Sequence, residues 1–163
     1  VKPMGELGLF GTVIPEQYGG SEMGWLAAMI VTEEIARASS SLRVQINMQT
    51  LGCAYTILTY GSDELKEKYI PKLVTAEYVG AFAMTEPDAG SDLAGIRTLA
   101  EEDGDTVVLN GAKTFISNGL LCDLVIVAAR EADLDNPHLG LSLYLVEDGT
   151  EGFTRGRHLE KMG

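Results

Sequence analysis

Basic charge is scarce in this chain. Twelve lysines and arginines stand against 24 aspartates and glutamates, a net charge of -12. The densest basic stretch, Lys66, Lys68 and Lys72, is interleaved with acids. A nucleic-acid face needs clustered cations to neutralise phosphates, so DNA- and RNA-binding classes are set aside. Long apolar runs are also missing. None approaches the ~20 residues needed to cross a bilayer, and the first residues do not read as a secretory leader. Cysteine is rare: Cys53 and Cys122 each sit inside an apolar run. Two such thiols make no disulfide framework and read as buried free thiols of a reducing compartment. His138 and His158 are isolated, and no Cys/His spacing matches a metal site, so no metal is expected.

Apolar residues make up 45% of the 163 positions, enough for a core in one domain or in parts of two. The opening "VKPMGELGLFGTVIPEQYGG" and the closing "FTRGRHLEKMG" read as interior sequence, which points to a piece of a longer protein. Glycine and proline punctuate residues 1–21, predicting an irregular lead-in. "EMGWLAAMIVTEEIARA" then carries Trp25, Leu26, Met29 and Ile30 at helical spacing. It predicts a mostly buried helix starting near Ser21 or Glu22. Ser39, Ser40 and Ser41 break it and cap a second helix over about 41–60, with Val44, Met48, Leu51, Tyr55 and Leu58 as its core face. Gly61 ends that helix and Ser62 caps a third, in which Pro71 predicts a break or kink.

From about residue 78 the pattern shortens to β-rich runs: "YVGAFAM", "IRTLAEEDG", "DTVVLNGAKTFIS", "DLVIVAAR" and "LSLYLVED". "EEDGDT" predicts a hairpin, because Asp-Gly supplies the positive φ of a tight turn. Helices first and sheet second is an α+β order. The division falls near Glu77–Gly80: a helical part over 1–78, then an antiparallel sheet or barrel over 79–163.

Two stretches carry chemistry. "AFAMTEPDAGSDLAG" ends a strand in a loop of small residues whose N–H groups can share one concavity, a nest for a carbonyl, a phosphate or an electron-rich ring edge. An ordinary Asp/Gly/Ser loop with self-capping side chains is the alternative, and local physics alone favours it. In "NGAKTFISNGLLCD" a strand would put Lys113, Phe115 and Ser117 on one face, followed by a turn at Asn118-Gly119. Phe115 reads there either as a flank for a planar cofactor or as a core side chain.

Taken together, "MTEPDAGSD" and "LNGAKTFISNG" resemble the paired signature of the acyl-CoA dehydrogenase family. "PEQYGG", "TEEIARASSSLR", "YGSDELKEKYIPKL" and "LEKMG" match its order, so the likeness covers essentially the whole chain. The resemblance implies an FAD-dependent dehydrogenation of an acyl-CoA thioester at Cα–Cβ, with a proton leaving Cα and a hydride leaving Cβ for the flavin. Donors on the ring's pyrimidine edge would stabilise its gained charge. It implies that Phe82, Met84, Thr85, Gly90 and Ser91 form the flavin-binding strand and loop, with Ser91 also touching substrate. Phe115, Ile116 and Ser117 would shield the ring and bond near its reactive nitrogen. Phe82 stands where many members have Tyr, and Phe115 where Trp is frequent. The family's base belongs to a C-terminal helical domain, so the resemblance implies no catalytic residue within this sequence. Glu86, Asp88 and Asp92 read as turn formers and backbone acceptors.

Arg43, with Asn47 one turn on, resembles the acyl-end position of members acting on glutaryl-CoA, where an Arg meets the distal carboxylate. A snorkelling or surface Arg paired with Glu33, Glu34 or a neighbour is the structural alternative. The resemblance further implies an electron-transfer flavoprotein as acceptor, a homotetramer, and a cytoplasmic or mitochondrial-matrix location. An acyl-CoA oxidase, a flavin monooxygenase of the same fold, and an inactive binding or assembly module are the alternatives.

Overall fold

The computed structural model describes residues 1–131 and 140–160; His138 and the end of "LEKMG" lie outside the described residues. The lead-in is more ordered than its glycines predict. Helix α1 (Lys2–Glu6) opens with Pro3, where a missing N–H costs nothing, and a 3-10 turn follows at Glu16–Tyr18. Phe10 and Ile14 are fully buried.

Helix α2 (Gly24–Ala38) begins later than predicted and is not mostly buried. Leu26 is 71% exposed and Met29 68%. Val31 and Ile35 pack on the small cluster of Met4, Phe10 and Ile46, while the other apolar face finds no cover among the described residues apart from Trp25, edge-on to Tyr55 at 4.9 Å.

Ser39 caps α3 (Ser40–Ile46) by accepting the Leu42 N–H at 3.4 Å. The chain continues as a π-helix over Asn47–Tyr55 and then as α4 (Thr56–Tyr60). The predicted core face holds only at its edge, where Tyr55 and Leu58 pack on the helix–sheet core. The inward stripe is Ile46, Gln49, Thr50, Cys53, Ala54 and Ile57, while Leu51 is exposed. Apolarity picked the wrong stripe because two inward residues are polar and satisfied by backbone. The Gln49 amide donates to the carbonyls of Leu73 (2.8 Å) and Tyr78, and its oxygen accepts the Gly80 N–H at 2.9 Å. Thr50 donates to the Phe10 carbonyl at 3.0 Å.

Ser62 caps α5 (Asp63–Val74), as predicted, by accepting the Leu65 N–H at 3.4 Å. Pro71 does not break α5. It lies in the last turn, and the carbonyl it leaves unbonded is on exposed Glu67. Buried Tyr69, Ile70, Leu73 and Val74 hold the turn in place.

The strands are β1 (Gly80–Ala83), β2 (Leu99–Asp103), β3 (Thr106–Asn110), β4 (Leu124–Glu131) and β5 (Leu141–Glu147). The α+β order holds, but the sheet is mixed rather than antiparallel throughout. β4 pairs in parallel with β1 and β2, while β2–β3 and β4–β5 are antiparallel. A strand paired in parallel near the centre of a sheet is covered on both faces, which suits the nearly continuous burial of β4. The predicted hairpin joins β2 to β3, with Gly104 at φ 61°. Helices and sheet share a core in which Cys53, Ile57, Ile70 and Leu73 meet Leu124 and Ile126. Both cysteines are free and buried. No described helix is long and apolar enough to cross a membrane.

One predicted strand stops early. β3 ends at Asn110, and the chain to Asn118 is loop, with Phe115 at φ 57° and Asn118 at φ 65°. Positive φ is incompatible with a continuing strand. Lys113, Phe115 and Ser117 therefore do not share an alternating strand face.

Candidate functional site

β1 leaves the sheet at Ala83 and its continuation turns sharply. The N–H of Glu86 donates to the Ala89 carbonyl at 2.8 Å, and Asp92 accepts the Ala94 N–H at 3.1 Å to start a short 3-10 turn. The second motif docks on this loop: the Thr114 N–H donates to the Thr85 carbonyl at 2.9 Å. Residues 82–91 and 115–117, separated in sequence, are thus brought together.

The side chains divide into two sets. Phe82 and Met84 pack inward, Phe82 against the helix–sheet core and Met84 against Ala89, Ile96 and Ala128. Ile116 packs on the cluster of Ala81, Ala83, Cys122 and Val125. The Phe115 ring is 67% exposed. The hydroxyls of Thr85, Ser91 and Ser117 make no hydrogen bond within the described residues, nor do the N–H groups of Gly90 and Ser91. Gly90 differs from the close-packed Gly80. At Gly80 a Cβ would lie 2.6 Å from the Cys53 sulfur, so packing demands glycine; at Gly90 a Cβ would meet nothing within 4 Å. Neither packing nor a positive φ requires a glycine at 90, as also at Gly156, and its backbone is open to close approach.

Behind the loop lies its anchor. The Glu86 carboxylate accepts the N–H groups of Arg97 (2.7 Å) and Thr98 (2.9 Å), the Thr98 hydroxyl (2.5 Å) and the Lys113 ammonium (2.7 Å). Lys113 also donates to the Met84 carbonyl at 3.1 Å. The side chains are 4% (Glu86) and 10% (Lys113) exposed. Burial pushes the Glu86 carboxyl up, but Lys113, the Thr98 hydroxyl and the two N–H groups more than offset it and bring it down to about 2. A carboxylate so low and so fully hydrogen-bonded is a poor proton acceptor for a substrate. Glu86 and Asp92 act as the backbone acceptors predicted from sequence; Asp88 instead pairs with Arg97 at 3.0 Å on the surface. A cleft of about 190 Å³ lined by Glu86, Asp88, Arg97, Thr98 and Gly111 sits here, below the ~300–1,000 Å³ usual for ligand pockets.

Arg43 and Asn47 stand apart on the helical side, one turn from each other and half-buried. The predicted Arg43 pairing with Glu33 or Glu34 is not made; Glu34 pairs with Arg37 at 3.1 Å, and Arg43 has no ion pair among the described residues. No hydrogen bond links Arg43 or Asn47 to the loop within those residues. The connection is indirect: Gln49, two residues past Asn47, holds the Gly80 N–H at the start of β1.

Sequence reasoning missed the depth of Glu86 and Lys113, the Gln49 clip, and Asn118, which donates to the Gly80 carbonyl at 2.9 Å. A Glu directly after an apolar strand and a Lys inside the second motif were the available signals; neither reveals that the two meet. Among the described residues no cluster of His, Cys, Asp and Glu could hold a metal.

Two family models match: "Acyl-CoA dehydrogenase, N-terminal domain" over residues 1–77 and "Acyl-CoA dehydrogenase, middle domain" over residues 81–163. A glutaryl-CoA dehydrogenase of Desulfococcus multivorans is 58% identical over 165 residues, covering 100% of this chain and 42% of that protein. The solved glutaryl-coenzyme A dehydrogenase glutaryl-CoA complex is 61% identical at a TM-score of 0.86, covering 90% of this chain and 37% of that one. An acyl-CoA dehydrogenase structure from Geobacillus kaustophilus is 46% identical at a TM-score of 0.92, covering 98% and 42%. The chain thus spans well under half the length of these relatives.

Proposed function

This chain belongs to the acyl-CoA dehydrogenase family, and from that premise we propose that the complete protein is an FAD-dependent oxidoreductase. It desaturates an acyl-CoA thioester at Cα–Cβ, with a short dicarboxyl substrate such as glutaryl-CoA favoured. The observation that carries the reading is the Thr114–Thr85 bond, which ties the two donor-bearing segments to each other. The donor set suits a flavin: hydroxyls at Thr85, Ser91 and Ser117, N–H groups at Gly90 and Ser91, and an exposed aromatic at Phe115. When bound, FAD supplies the acceptor for the hydride leaving Cβ. The main chain of Phe82, Met84 and Thr85 would hold the ring edge, Phe115 would limit water over it, Ile116 would take part through its main chain because its side chain packs on Ala81, Ala83, Cys122 and Val125, and Ser91 and Ser117 would orient groups at the reacting end. Glu86 is not the base; the proton leaving Cα goes to a group beyond these residues.

Arg43 is assigned the distal carboxylate, helped by Asn47. The 58% identity to a glutaryl-CoA dehydrogenase supports this choice. We further assign residues 1–78 to a helical domain and 79–163 to a β-domain, electron-transfer flavoprotein as acceptor, a homotetramer as the assembly, and a cytoplasmic or matrix location.

The test uses the complete protein. It is expected to purify with FAD and to lose its flavin colour anaerobically with glutaryl-CoA. Arg43→Met lowers kcat/KM for glutaryl-CoA about ten- to a hundred-fold, the size of one lost charge-assisted pair, with a much smaller loss on butyryl-CoA. Absence of flavin after reconstitution sinks the reading; equal effects on both substrates sink the dicarboxyl assignment alone.

A further inference from the structure

A buried ion pair is an expensive way to hold a loop. Both charges lose water, and apolar side chains of similar volume commonly stabilise as well. What a charge pair gives that packing does not is a fixed geometry between the segments it joins. Glu86 and Lys113 lie 27 residues apart and meet at 2.7 Å, almost wholly buried. Glu86 sits one residue past Thr85; Lys113 sits two before Phe115. Lys113 also reaches back to the Met84 carbonyl at 3.1 Å, so one ammonium grips the loop on either side of Thr85.

The carboxylate is itself immobilised. Arg97 and Thr98 bind it from the lead-in to β2. Gly111 leaves no room above Thr98, since a Cβ there would collide with the Thr98 hydroxyl. Chain 111–113 therefore crosses directly over the residue that holds Glu86.

We propose that Glu86 and Lys113 are positioning residues for the flavin: a charged strut that sets the distance between the Thr85–Ser91 loop and the Phe115–Ser117 segment. It rests on the flavoprotein reading above. Neither side chain is assigned a contact with the ring. Their effect runs through Thr85 on one side and through Thr114, whose N–H binds the Thr85 carbonyl, on the other.

Two variants of the complete protein test this. Glu86→Gln/Lys113→Met leaves no unpaired buried charge and keeps similar volumes. Lys113→Arg keeps the charge but replaces a point donor by a longer planar fork, which cannot reach Met84 and Glu86 at the same spacing. Far-UV and visible circular dichroism, FAD affinity, flavin midpoint potential, kcat and KM are measured on each. The double variant is expected to keep the parent's far-UV signal, bind FAD about ten-fold more weakly, and lose kcat more than KM changes. Lys113→Arg is expected to shift the visible dichroism and the potential with its thermal midpoint near the parent's. If the parent binds FAD while either variant folds with unaltered affinity, visible dichroism and potential, the pair only supports the fold and the proposal falls. If the parent takes up no FAD, the flavoprotein reading falls and takes this one with it.

Discussion

The face of α2 and the anchor behind the Thr85 loop invert the usual relation between side-chain chemistry and burial. Leu26 and Met29 are 71% and 68% exposed, while the Glu86 and Lys113 side chains are 4% and 10% exposed. Hydrophobicity alone would exchange them. The difference lies in partners. Glu86 finds two N–H groups, a hydroxyl and an ammonium, so its desolvation is compensated. The outer face of α2 finds almost nothing to pack on among the described residues, so its apolar area is left uncovered by them. Burial follows the availability of a matching surface, and a polar group with all its bonds made is as much an interior residue as a leucine.

The largest effect that would test this contrast comes from removing one partner of the buried pair. Lys113→Met leaves Glu86 charged and enclosed. Breaking a buried pair from one side costs about 3–5 kcal/mol, and the low end applies because three donors remain on Glu86. Urea unfolding of the 163-residue chain should show the loss, and Glu86→Gln/Lys113→Met should recover most of it. A single variant as stable as the parent would mean that water already solvates Glu86.

Acid should act on the same group. Its folded pKa of about 2 lies below the ordinary 4.5. A depressed carboxyl contributes stability that is full above the unfolded value and is lost as pH falls through the folded one. The window is thus pH 4.5 down to 2, and at most about 3 kcal/mol is at stake. Comparing urea midpoints of parent and Glu86→Gln across that range checks it: the parent's midpoint should fall more steeply. Parallel curves would show that Glu86 does not titrate below its unfolded value.

These two groups also mark where sequence stopped being informative. Helix starts at Ser39 and Ser62 were legible because capping is local, as was the Gly104 hairpin. The pairing of "MTEPDAGSD" with "LNGAKTFISNG" was legible as a family signature. The face of α2 was not, and that of the π-helical stretch only at Tyr55 and Leu58, because apolar periodicity cannot see that Gln49 and Thr50 would be satisfied by Leu73, Tyr78, Gly80 and Phe10. Nor could alternation reveal that β3 would stop at Asn110 and that Phe115 would take a positive φ. Local chemistry named the elements, and non-local hydrogen bonds decided their orientation.

Gln49 gives a test of intermediate size. Gln49→Leu keeps volume but strands the Gly80 N–H and the carbonyls of Leu73 and Tyr78, all in the core region joining helices to β1. Each stranded group costs about 1–3 kcal/mol, partly relieved where relaxation admits water. A loss of about 2 kcal/mol in urea is expected. A neutral or stabilising result would return Gln49 to an ordinary apolar-compatible site and weaken the claim that polar satisfaction chose this helix face.

The smallest effect on stability should come from the residues that look most like core. Leu26→Glu with Met29→Glu places two charges on the outer face of α2, away from Val31 and Ile35, which do pack. Trp25 is left intact because it meets Tyr55. Surface substitutions without partners change stability by less than about 0.5 kcal/mol, so the urea midpoint of the 163-residue chain should hardly move. Self-association is where the change should appear. Contiguous exposed apolar area drives it, and two carboxylates would break up the patch and add to an already negative chain. Light scattering against concentration should show the parent chain associating and the variant remaining monomeric to higher concentration. A drop of more than about 1 kcal/mol would instead mean that this face is packed in the isolated chain. The contrast with Glu86 would then collapse, since apolar side chains would be buried on α2 after all.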